Sequence, residues 1–373
     1  MPIFYIIIIL IQLVFFGYSQ RIKDGKIIEI FGLTITSLLL SFRTNVGADL
    51  ATYRQHYEII KSGYTPLVEF PELGYRLLEH SLARLGVSFY IFLFLISFLN
   101  LYTYYSFIKF HKLKYPTFAL FIYLGLFDLF IYSLSAMRQS IAISFVLVAI
   151  LAYRKSKKKS SLVFLLIATA FHWTSLIMLP VVFVLGMKKE IKARLLILLI
   201  ILVPMLYYLS MNSSFIIGKI ASVNYNLNYY LNLLSDERET SLITFIMGLV
   251  TAFLWVIYKL FFVNVKTNGI KIAIKKINSL SPKIEMSYVD WFVFIFLVLH
   301  ACVDLIYVSA IPRLEMYFYM LLPMFVAKEL EKIHGNIRIL INLVIILMIV
   351  VQLYLKIQMN SFFYGEASFI FPF

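Results

Sequence analysis

The sequence is poor in charged residues. Only 14% of its 373 residues are Asp, Glu, Lys or Arg, whereas 62% are hydrophobic. A soluble domain keeps about 25% charged residues to cover its surface, so this composition excludes an ordinary soluble protein. Long alternating strands are also missing, and in hydrocarbon only helices or closed barrels satisfy the backbone polar groups. The sequence therefore predicts an all-α, polytopic membrane helical bundle.

Cysteine and several chemical motifs are scarce or missing too. Cys302 is the single cysteine, which excludes an internal disulfide. The sequence has no Walker motif, no G-x-G-x-x-G, no H-E-x-x-H and no D-x-D pair, and its six histidines are scattered. We therefore expect no cofactor and no metal. Any enzyme here must take its energy from a substrate that is already activated.

The net charge of +15 is distributed along the chain in short links. Most of the 34 Lys and Arg residues lie between apolar segments, which is typical of cytoplasmic loops and not of a nucleic-acid-binding surface. The basic links are 20–26, 109–114, 154–159, 188–194, 264–287 and 328–338. This charge bias predicts the links inside the cell and both chain termini outside, with no nucleic acid as a partner.

The apolar segments lie at 3–19, 27–42, 88–108, 115–134, 135–153, 160–187, 195–211, 241–263, 289–308, 311–330 and 339–357. Segment 160–187 runs between two basic links, so both of its ends are predicted inside. Two half-length helices satisfy this as a hairpin, because about 12 residues span only about 18 Å of a roughly 30 Å core. These halves are 160–171 and 175–187. The result is about 11–12 transmembrane segments in a single integral membrane domain over residues 1–373.

Two predicted outer segments are long, 43–87 and 212–240. The first opens with RTNVGADLATY and continues into a stretch with leucines on one helical face, which predicts an amphipathic helix in the membrane interface. The leucines are Leu73, Leu77, Leu78, Leu82 and Leu85, while Glu72, Arg76, Glu79 and His80 lie elsewhere on that helix. The second segment is rich in Asn, Tyr and Ser, which suits either sugar binding or an interfacial aromatic belt.

Three arginines, Arg43, Arg138 and Arg313, fall at predicted outer ends of helices. One arginine there can simply reach the interface. Three favour an anion site, because the planar guanidinium forms paired hydrogen bonds with phosphate. His172 at the hairpin apex and Asp49 are predicted at a similar depth. Each has an alternative, His172 as a packed polar residue and Asp49 as a helix cap.

Four stretches together resemble a known family. FRTNVGADLATYRQHYE, AMRQSIAISF, ATAFHWTSLIMLP and PRLEMYFYMLLP are similar, in the same order, to segments of the EpsG-like polysaccharide polymerases, relatives of the Wzy O-antigen and capsule polymerases. The likeness runs over residues 30–330. Ala48 departs from the family, which more often has a small hydroxyl residue there.

The resemblance implies a glycosyltransferase of the bacterial cytoplasmic (inner) membrane. It would polymerise undecaprenyl-diphosphate-linked repeat units into exopolysaccharide, capsule or O-antigen on the outer face. The implied partners are these lipid-linked glycans, the lipid bilayer, and a chain-length regulator or flippase of the same pathway. His172 and Asp49 are the candidate catalytic residues, and histidine is favoured as the base because it ordinarily titrates nearer to neutral pH. The candidate substrate-binding residues are Arg43, Tyr53, Arg138, Gln139, Arg313 and Tyr317.

Two other functions stay open on the sequence. An O-antigen ligase-like glycosyltransferase uses the same donor with a different acceptor, and no sequence feature excludes it. A polysaccharide flippase or transporter predicts polar residues through the whole depth of the bundle, whereas here they gather near one face. We therefore favour the polymerase over the transporter.

Overall fold

The structure is a computed structural model of the whole chain. It describes residues 2–22, 25–43, 49–67, 69–185, 189–212, 243, 245–260, 283–305, 310–333 and 335–364. The chain forms two compact units. The first comprises residues 1–182 and 323–373, and the second comprises residues 183–322.

The first unit is helical throughout its described part, which confirms the all-α fold class. Its helices are α1 (Pro2–Ser19), α2 (Lys26–Ser41), α3 (Leu50–Lys61), α4 (Leu73–Arg84), α5 (Phe89–Phe110), α6 (Pro116–Gly125), α7 (Phe127–Ser135), α8 (Met137–Arg154) and α9 (Lys158–Phe171). A 3₁₀ turn (Trp173–Ile177) and α10 (Met178–Leu185) follow. The chain later returns to this unit with α15 (Leu322–Leu330) and α16 (Gly335–Tyr364).

The second unit contains three long helices, one shorter helix and a small β-ribbon among its described residues. The long helices are α11 (Ala193–Asn212), α12 (Phe245–Leu260) and α13 (Tyr288–Leu305), and the shorter one is α14 (Ala310–Tyr319). Strands β1 (Lys189–Lys192) and β2 (Lys283–Met286) pair antiparallel, with Lys189 opposite Met286. Strand β1 lies within the predicted basic link 188–194 and β2 lies within the link 264–287, so the ribbon joins these two links.

Three described helices are long and apolar enough to cross a membrane: α5, α8 and residues 335–352 of α16. The bent pair α6–α7 counts as a fourth if it forms one span. Other predicted segments form shorter apolar helices, for example in α11, α12 and α13. These helices identify a membrane protein. In α5 and α8, 61% of the window that could cross a membrane is buried, whereas only 6% is buried in residues 335–352 of α16, as expected of a lipid-facing helix.

Two segments that the sequence predicted as single helices are broken. Segment 115–134 bends by 77° between α6 and α7, where Leu126 has an extended backbone (φ −76°, ψ 103°). Segment 311–330 divides into α14 and α15 at a turn over residues 320–321. Continuous hydropathy does not reveal such breaks, because the bend changes the direction of the backbone without changing its apolar surroundings.

The predicted division of 160–187 into two short helices is confirmed. Helix α9 ends at Phe171 because His172 has an extended backbone (φ −157°, ψ 112°). The His172 N–H still donates to Ala168 O, and its carbonyl accepts from Ser175 N–H, which begins the 3₁₀ turn. The side chain of His172 therefore leaves the helix end at a fixed break.

Polar pairs link the buried helices of the first unit. Asn100 on α5 donates to Ser140 Oγ at 3.0 Å and accepts from Ser144 Oγ at 2.8 Å, both on α8. Helices in lipid gain little from the hydrophobic effect and associate through close packing and such hydrogen bonds. The face of α8 that carries Ser140 and Ser144 therefore packs against α5 and is bonded to it.

Helix α4 presents two different faces, as its sequence pattern predicts. Leu73, Leu77 and Leu85 are exposed. Tyr75 and Glu79 point into the protein, so the buried face of this helix is the polar one. Exposed leucines suit contact with lipid, and the position of α4 in the membrane interface stays a prediction.

Gly74 holds α4 close to α9. A Cβ added there would lie 2.9 Å from the backbone oxygen of Ala170, two residues before His172. We expect Gly74→Ala to reduce the melting temperature, although alanine favours a helix over glycine by about 1 kcal/mol. The clash pushes α4 away from α9.

Gly17→Ala is the matched control for Gly74→Ala. Its added Cβ would meet only Thr117 Cγ2, at 4.0 Å, which is ordinary contact. This variant is expected to be neutral or slightly more stable in a thermal unfolding assay. A Gly74→Ala protein that matches Gly17→Ala in thermal stability would refute a tight α4–α9 contact.

Candidate active site

Glu72 is the centre of a buried cluster in the first unit. It lies at the N-terminus of α4, and its carboxylate makes no capping hydrogen bond to that helix. Its Oε1 accepts from His172 Nδ1 at 2.8 Å, and its Oε2 forms an ion pair with Arg138. One carboxylate therefore joins the break after α9 to the first turn of α8.

The charge state of Glu72 decides which ring nitrogen of His172 carries the proton. Burial raises the pKa of the Glu72 carboxyl, but the His172 hydrogen bond and the Arg138 guanidinium outweigh burial and hold that pKa below its usual value. An ionised carboxylate only accepts hydrogen bonds, so Nδ1 of His172 must carry the proton. In the neutral imidazole, Nε2 then has a lone pair that can accept one.

His172 is held rigidly and has one ring nitrogen available. Its side chain is only 6% exposed. Nε2 is buried and has no hydrogen-bond partner within the part of the chain that the structure describes. The preceding Phe171 stacks on Phe145 of α8, with centroids 5.5 Å apart, which anchors the helix end. An imidazole that is oriented by a carboxylate and has an unpaired second nitrogen is an arrangement that suits a general base.

Arg138 is fixed on three sides near the N-terminus of α8. Its Nε donates to the Tyr53 hydroxyl at 3.0 Å, and its guanidinium carbon lies 4.6 Å from the centre of the Phe70 ring. The ion pair with Glu72 fixes the guanidinium on its third side. A cation at a helix N-terminus is normally unfavourable, and these contacts offset that cost. The side chain is 21% exposed, so part of the positive charge is accessible.

Two other candidate residues are Tyr53, which contacts Arg138, and Gln139, which follows Arg138 in the sequence. Burial raises the pKa of the Tyr53 hydroxyl, so this group stays protonated at neutral pH. It accepts from Arg138 and keeps its own proton for another acceptor. Gln139 is buried.

Arg43 is a buried cation at the end of α2. Its side chain is 0% exposed, and its Nη1 donates to Leu40 O at 2.8 Å and to Ser97 Oγ at 2.9 Å. Nε and Nη2 have no hydrogen-bond partner among the described residues. Burial lowers the pKa of Arg43 to about 9, so the group remains charged at neutral pH. It is therefore not an arginine that simply reaches the membrane surface.

Asp49 is exposed, whereas His172 is buried. It precedes α3, and its backbone oxygen accepts from Tyr53 N–H at 3.0 Å. Asp49 is the N-cap residue of α3, as the alternative role predicted, but its side chain is exposed and makes no capping hydrogen bond. The rest of the opening motif, residues 44–48, lies outside the described residues, and so does segment 213–240.

The remaining candidates, Arg313 and Tyr317, lie on α14 in the second unit. Arg313 is exposed, and Tyr317 is fully buried. Between them, Glu315 holds His300 Nδ1 at 2.9 Å. The convergence of the three arginines on one anion stays a prediction.

A second buried glutamate lies two turns after Glu72 on α4. Glu79 Oε2 is 3.0 Å from His56 Nδ1 on α3, but the two atoms are not aligned for a hydrogen bond. Burial raises the pKa of Glu79 to about 8, with a smaller contribution from the charge of Glu69. Glu79 is therefore mostly protonated at neutral pH, whereas Glu72 is ionised. Two carboxyl groups of one helix thus differ in protonation state.

Sequence reasoning missed the central residue of the cluster. Glu72 was counted only as part of the polar side of an amphipathic helix, and Phe70 and Ser97 were not singled out. The one signal available in the sequence was an acidic residue directly after Pro71, at the start of the predicted amphipathic helix. That signal alone does not identify a partner.

Comparison with known proteins gives one match. The profile described as the EpsG family matches residues 26–373, which is nearly the whole chain. No curated protein and no solved structure matches the chain.

Proposed function

The chain belongs to the EpsG family, a Wzy-type polymerase-like family, and we propose that it joins repeat units carried on undecaprenyl diphosphate into a surface polysaccharide. Family membership supports a polysaccharide polymerase-like role. The observation that best supports the chemistry is the Glu72–His172 pair beside Arg138, which combines an oriented base with a positive charge.

In the proposed reaction, a hydroxyl of one lipid-linked repeat unit attacks the anomeric carbon of another. The new carbon–oxygen bond forms as the bond between that carbon and the diphosphate oxygen breaks. His172 Nε2 takes the hydroxyl proton, and undecaprenyl diphosphate leaves with the bonding electron pair. The carboxylate of Glu72 stabilises the imidazolium that results.

The leaving diphosphate needs compensating positive charge. Arg138 keeps an accessible part of its guanidinium, and Arg43 keeps two nitrogens, Nε and Nη2, whose N–H groups no described residue uses. Buried donors of this kind are costly unless they are paired. A diphosphate would pair them, and a preorganised cation stabilises charge that develops on the leaving group. We assign both arginines to the donor.

Other candidate residues keep supporting roles in this proposal. Tyr53 positions Arg138 and offers its proton to the donor. Asp49, which is exposed, orients the acceptor hydroxyl. Gln139, Arg313 and Tyr317 remain proposed substrate contacts.

The proposal places the site on the outer face of the bacterial cytoplasmic membrane. In a Cys302→Ser background, we expect Ser62→Cys to react with an impermeant thiol reagent in intact cells, and Lys157→Cys to react only after lysis. Ser62 and Lys157 are both exposed, so accessibility depends on the side of the membrane. Labelling of Lys157→Cys alone in intact cells would reverse the orientation and remove the outer site.

Deletion of the gene, followed by analysis of surface glycan and lipid-linked intermediates, tests the reaction. We expect short glycan and an accumulation of single repeat units on the carrier lipid. Long chains left on the carrier would instead indicate a ligase. Single units confined to the cytoplasmic leaflet would indicate a flippase. Either of these two outcomes would overturn the proposal.

A further inference from the structure

A cavity of about 680 Å³ lies in the first unit and shares no lining residue with the Glu72 cluster. It is formed by α1, α6, α15, α16 and the link before α6, at the end of the unit that carries basic links. The residues that matter for its chemistry are Leu13, Gln20, Lys114, Arg338, Asn342 and Ile346. Its volume lies within the range of small-molecule sites.

The cavity wall changes from polar to apolar along α16. Arg338, Asn342 and Ile346 are four residues apart, so they share one face and follow one another at intervals of about 6 Å. Gln20, directly after α1, and Leu13 on α1 repeat the change over about 10 Å. A polar mouth above an apolar floor matches a molecule with a polar headgroup and a hydrocarbon chain.

The mouth of the cavity is basic. Lys114 Nζ and Arg338 Cζ lie 5.6 and 4.8 Å from the centre of the Tyr115 ring, and Arg338 donates a hydrogen bond to the Tyr115 hydroxyl. Neither cation forms an ion pair with a described residue. The neighbouring Glu331 accepts from the backbone N–H of Lys114. The cavity lining contains no carboxylate among the described residues, so its mouth favours an anion.

Asn342 adds a specific polar contact one turn deeper. Its Oδ1 is buried and has no hydrogen-bond partner in the described part of the chain. A buried acceptor without a partner costs about 1–3 kcal/mol. A hydroxyl on a bound headgroup would satisfy it.

We propose that this cavity binds one anionic glycerophospholipid. Its phosphate lies between Lys114 and Arg338, and a headgroup hydroxyl donates to Asn342. One acyl chain follows Leu13 and Ile346 into the bilayer, and the other lies along the exposed leucines of α16. Basic pockets between transmembrane helices bind anionic headgroups in this way.

A lipid phosphate could also come from a polyprenyl phosphate. Asn342 favours the glycerophospholipid, because a headgroup such as glycerol carries hydroxyls and a polyprenyl monophosphate has none apart from its phosphate. The cavity lining includes none of the residues proposed to bind the donor. Lipid binding there therefore does not depend on which reaction occurs at the Glu72 cluster.

Lipid binding to the purified full-length protein tests the proposal. After removal of native lipid in detergent, dioleoyl phosphatidylglycerol, dioleoyl phosphatidylcholine and undecaprenyl monophosphate are each titrated and bound lipid is counted by native mass spectrometry. We expect phosphatidylglycerol to bind most tightly. Arg338→Gln and Lys114→Gln should each weaken it about five-fold, the factor that corresponds to about 1 kcal/mol per basic residue.

Lys158→Gln is the matched control, because it removes an exposed cation from another basic link and should leave binding unchanged. Ile346→Trp fills the apolar floor and should weaken binding without changing charge. If Arg338→Gln does not fold, the exposed Lys114→Gln decides the result. Equal binding of phosphatidylcholine, tighter binding of undecaprenyl monophosphate, or equal losses in Lys158→Gln and Lys114→Gln would each overturn the proposal.

Discussion

Replacing His172 with alanine is expected to reduce polymer formation by about 10²–10⁴-fold, the range that a positioned general base contributes. Nε2 of His172 is the buried nitrogen that no described residue uses, and Nδ1 is held by Glu72. The variant should still insert in the membrane and bind donor lipid, because neither step needs the proton acceptor. Polymer length on a gel and donor binding to purified protein measure the two effects separately.

Two further variants separate a base from a packed histidine. Glu72→Gln is expected to lower activity to a similar degree, because a neutral amide no longer stabilises the imidazolium or pairs with Arg138. Glu72→Asp should restore part of the activity, since it keeps the charge. Glu79→Gln, on the same helix, is the matched control. Its carboxyl is already mostly protonated at neutral pH, because burial raises its pKa to about 8.

The opposite pattern would assign the base elsewhere. An active His172→Ala protein together with an inactive Asp49→Asn protein, at equal expression, would transfer the role to Asp49. His80 is another histidine of the predicted outer segment 43–87, and it contacts Glu69. His80→Ala should retain full activity. Loss of activity in His80→Ala would indicate a general effect of removing histidines.

Replacing Arg43 with alanine is expected to reduce polymer formation by about 10²-fold or more, because two charge-assisted hydrogen bonds of about 1.5–3 kcal/mol each would be lost to the donor. Arg43→Lys should be nearly as harmful. Lysine offers a single charge in place of a planar fork, and it cannot both hold Ser97 and reach a phosphate. Donor binding and polymer yield are measured at equal amounts of folded protein.

Arg76→Lys is the control for this experiment. Arg76 forms a partly exposed pair with Glu69, and such pairs contribute about 0–1 kcal/mol. It should leave activity unchanged. Full donor binding by Arg43→Ala, with a loss of thermal stability only, would show that Arg43 supports the fold and does not bind the diphosphate.

The sequence by itself determined which segments form the central helices. It predicted helices at 88–108 and 135–153, and the structure has Phe89–Phe110 and Met137–Arg154. Hydropathy is a local property, and a run of apolar residues in lipid has no stable alternative to a helix. The break before His172 was also predictable, because two basic links cannot lie on one side of a membrane with a single crossing between them.

Only the tertiary structure decided where helices bend. The break between α6 and α7 occurs inside one continuous apolar run, and the sequence there remains hydrophobic on both sides. The direction of a helix after a bend is set by the neighbours it packs against. Local sequence carries little information about those neighbours.

Some residues of the candidate site could be identified from the sequence, and others only from the tertiary structure. The sequence singled out Arg43, Arg138 and His172 because a charged or titratable group near an apolar segment is costly and therefore informative. It could not identify Glu72, because a polar residue on an amphipathic helix ordinarily faces water. Glu72 becomes the partner of His172, 100 residues later in the chain, only when α4 packs against α9 at Gly74. That contact depends on the shapes of two distant helices, so the pairing was decided by the tertiary structure.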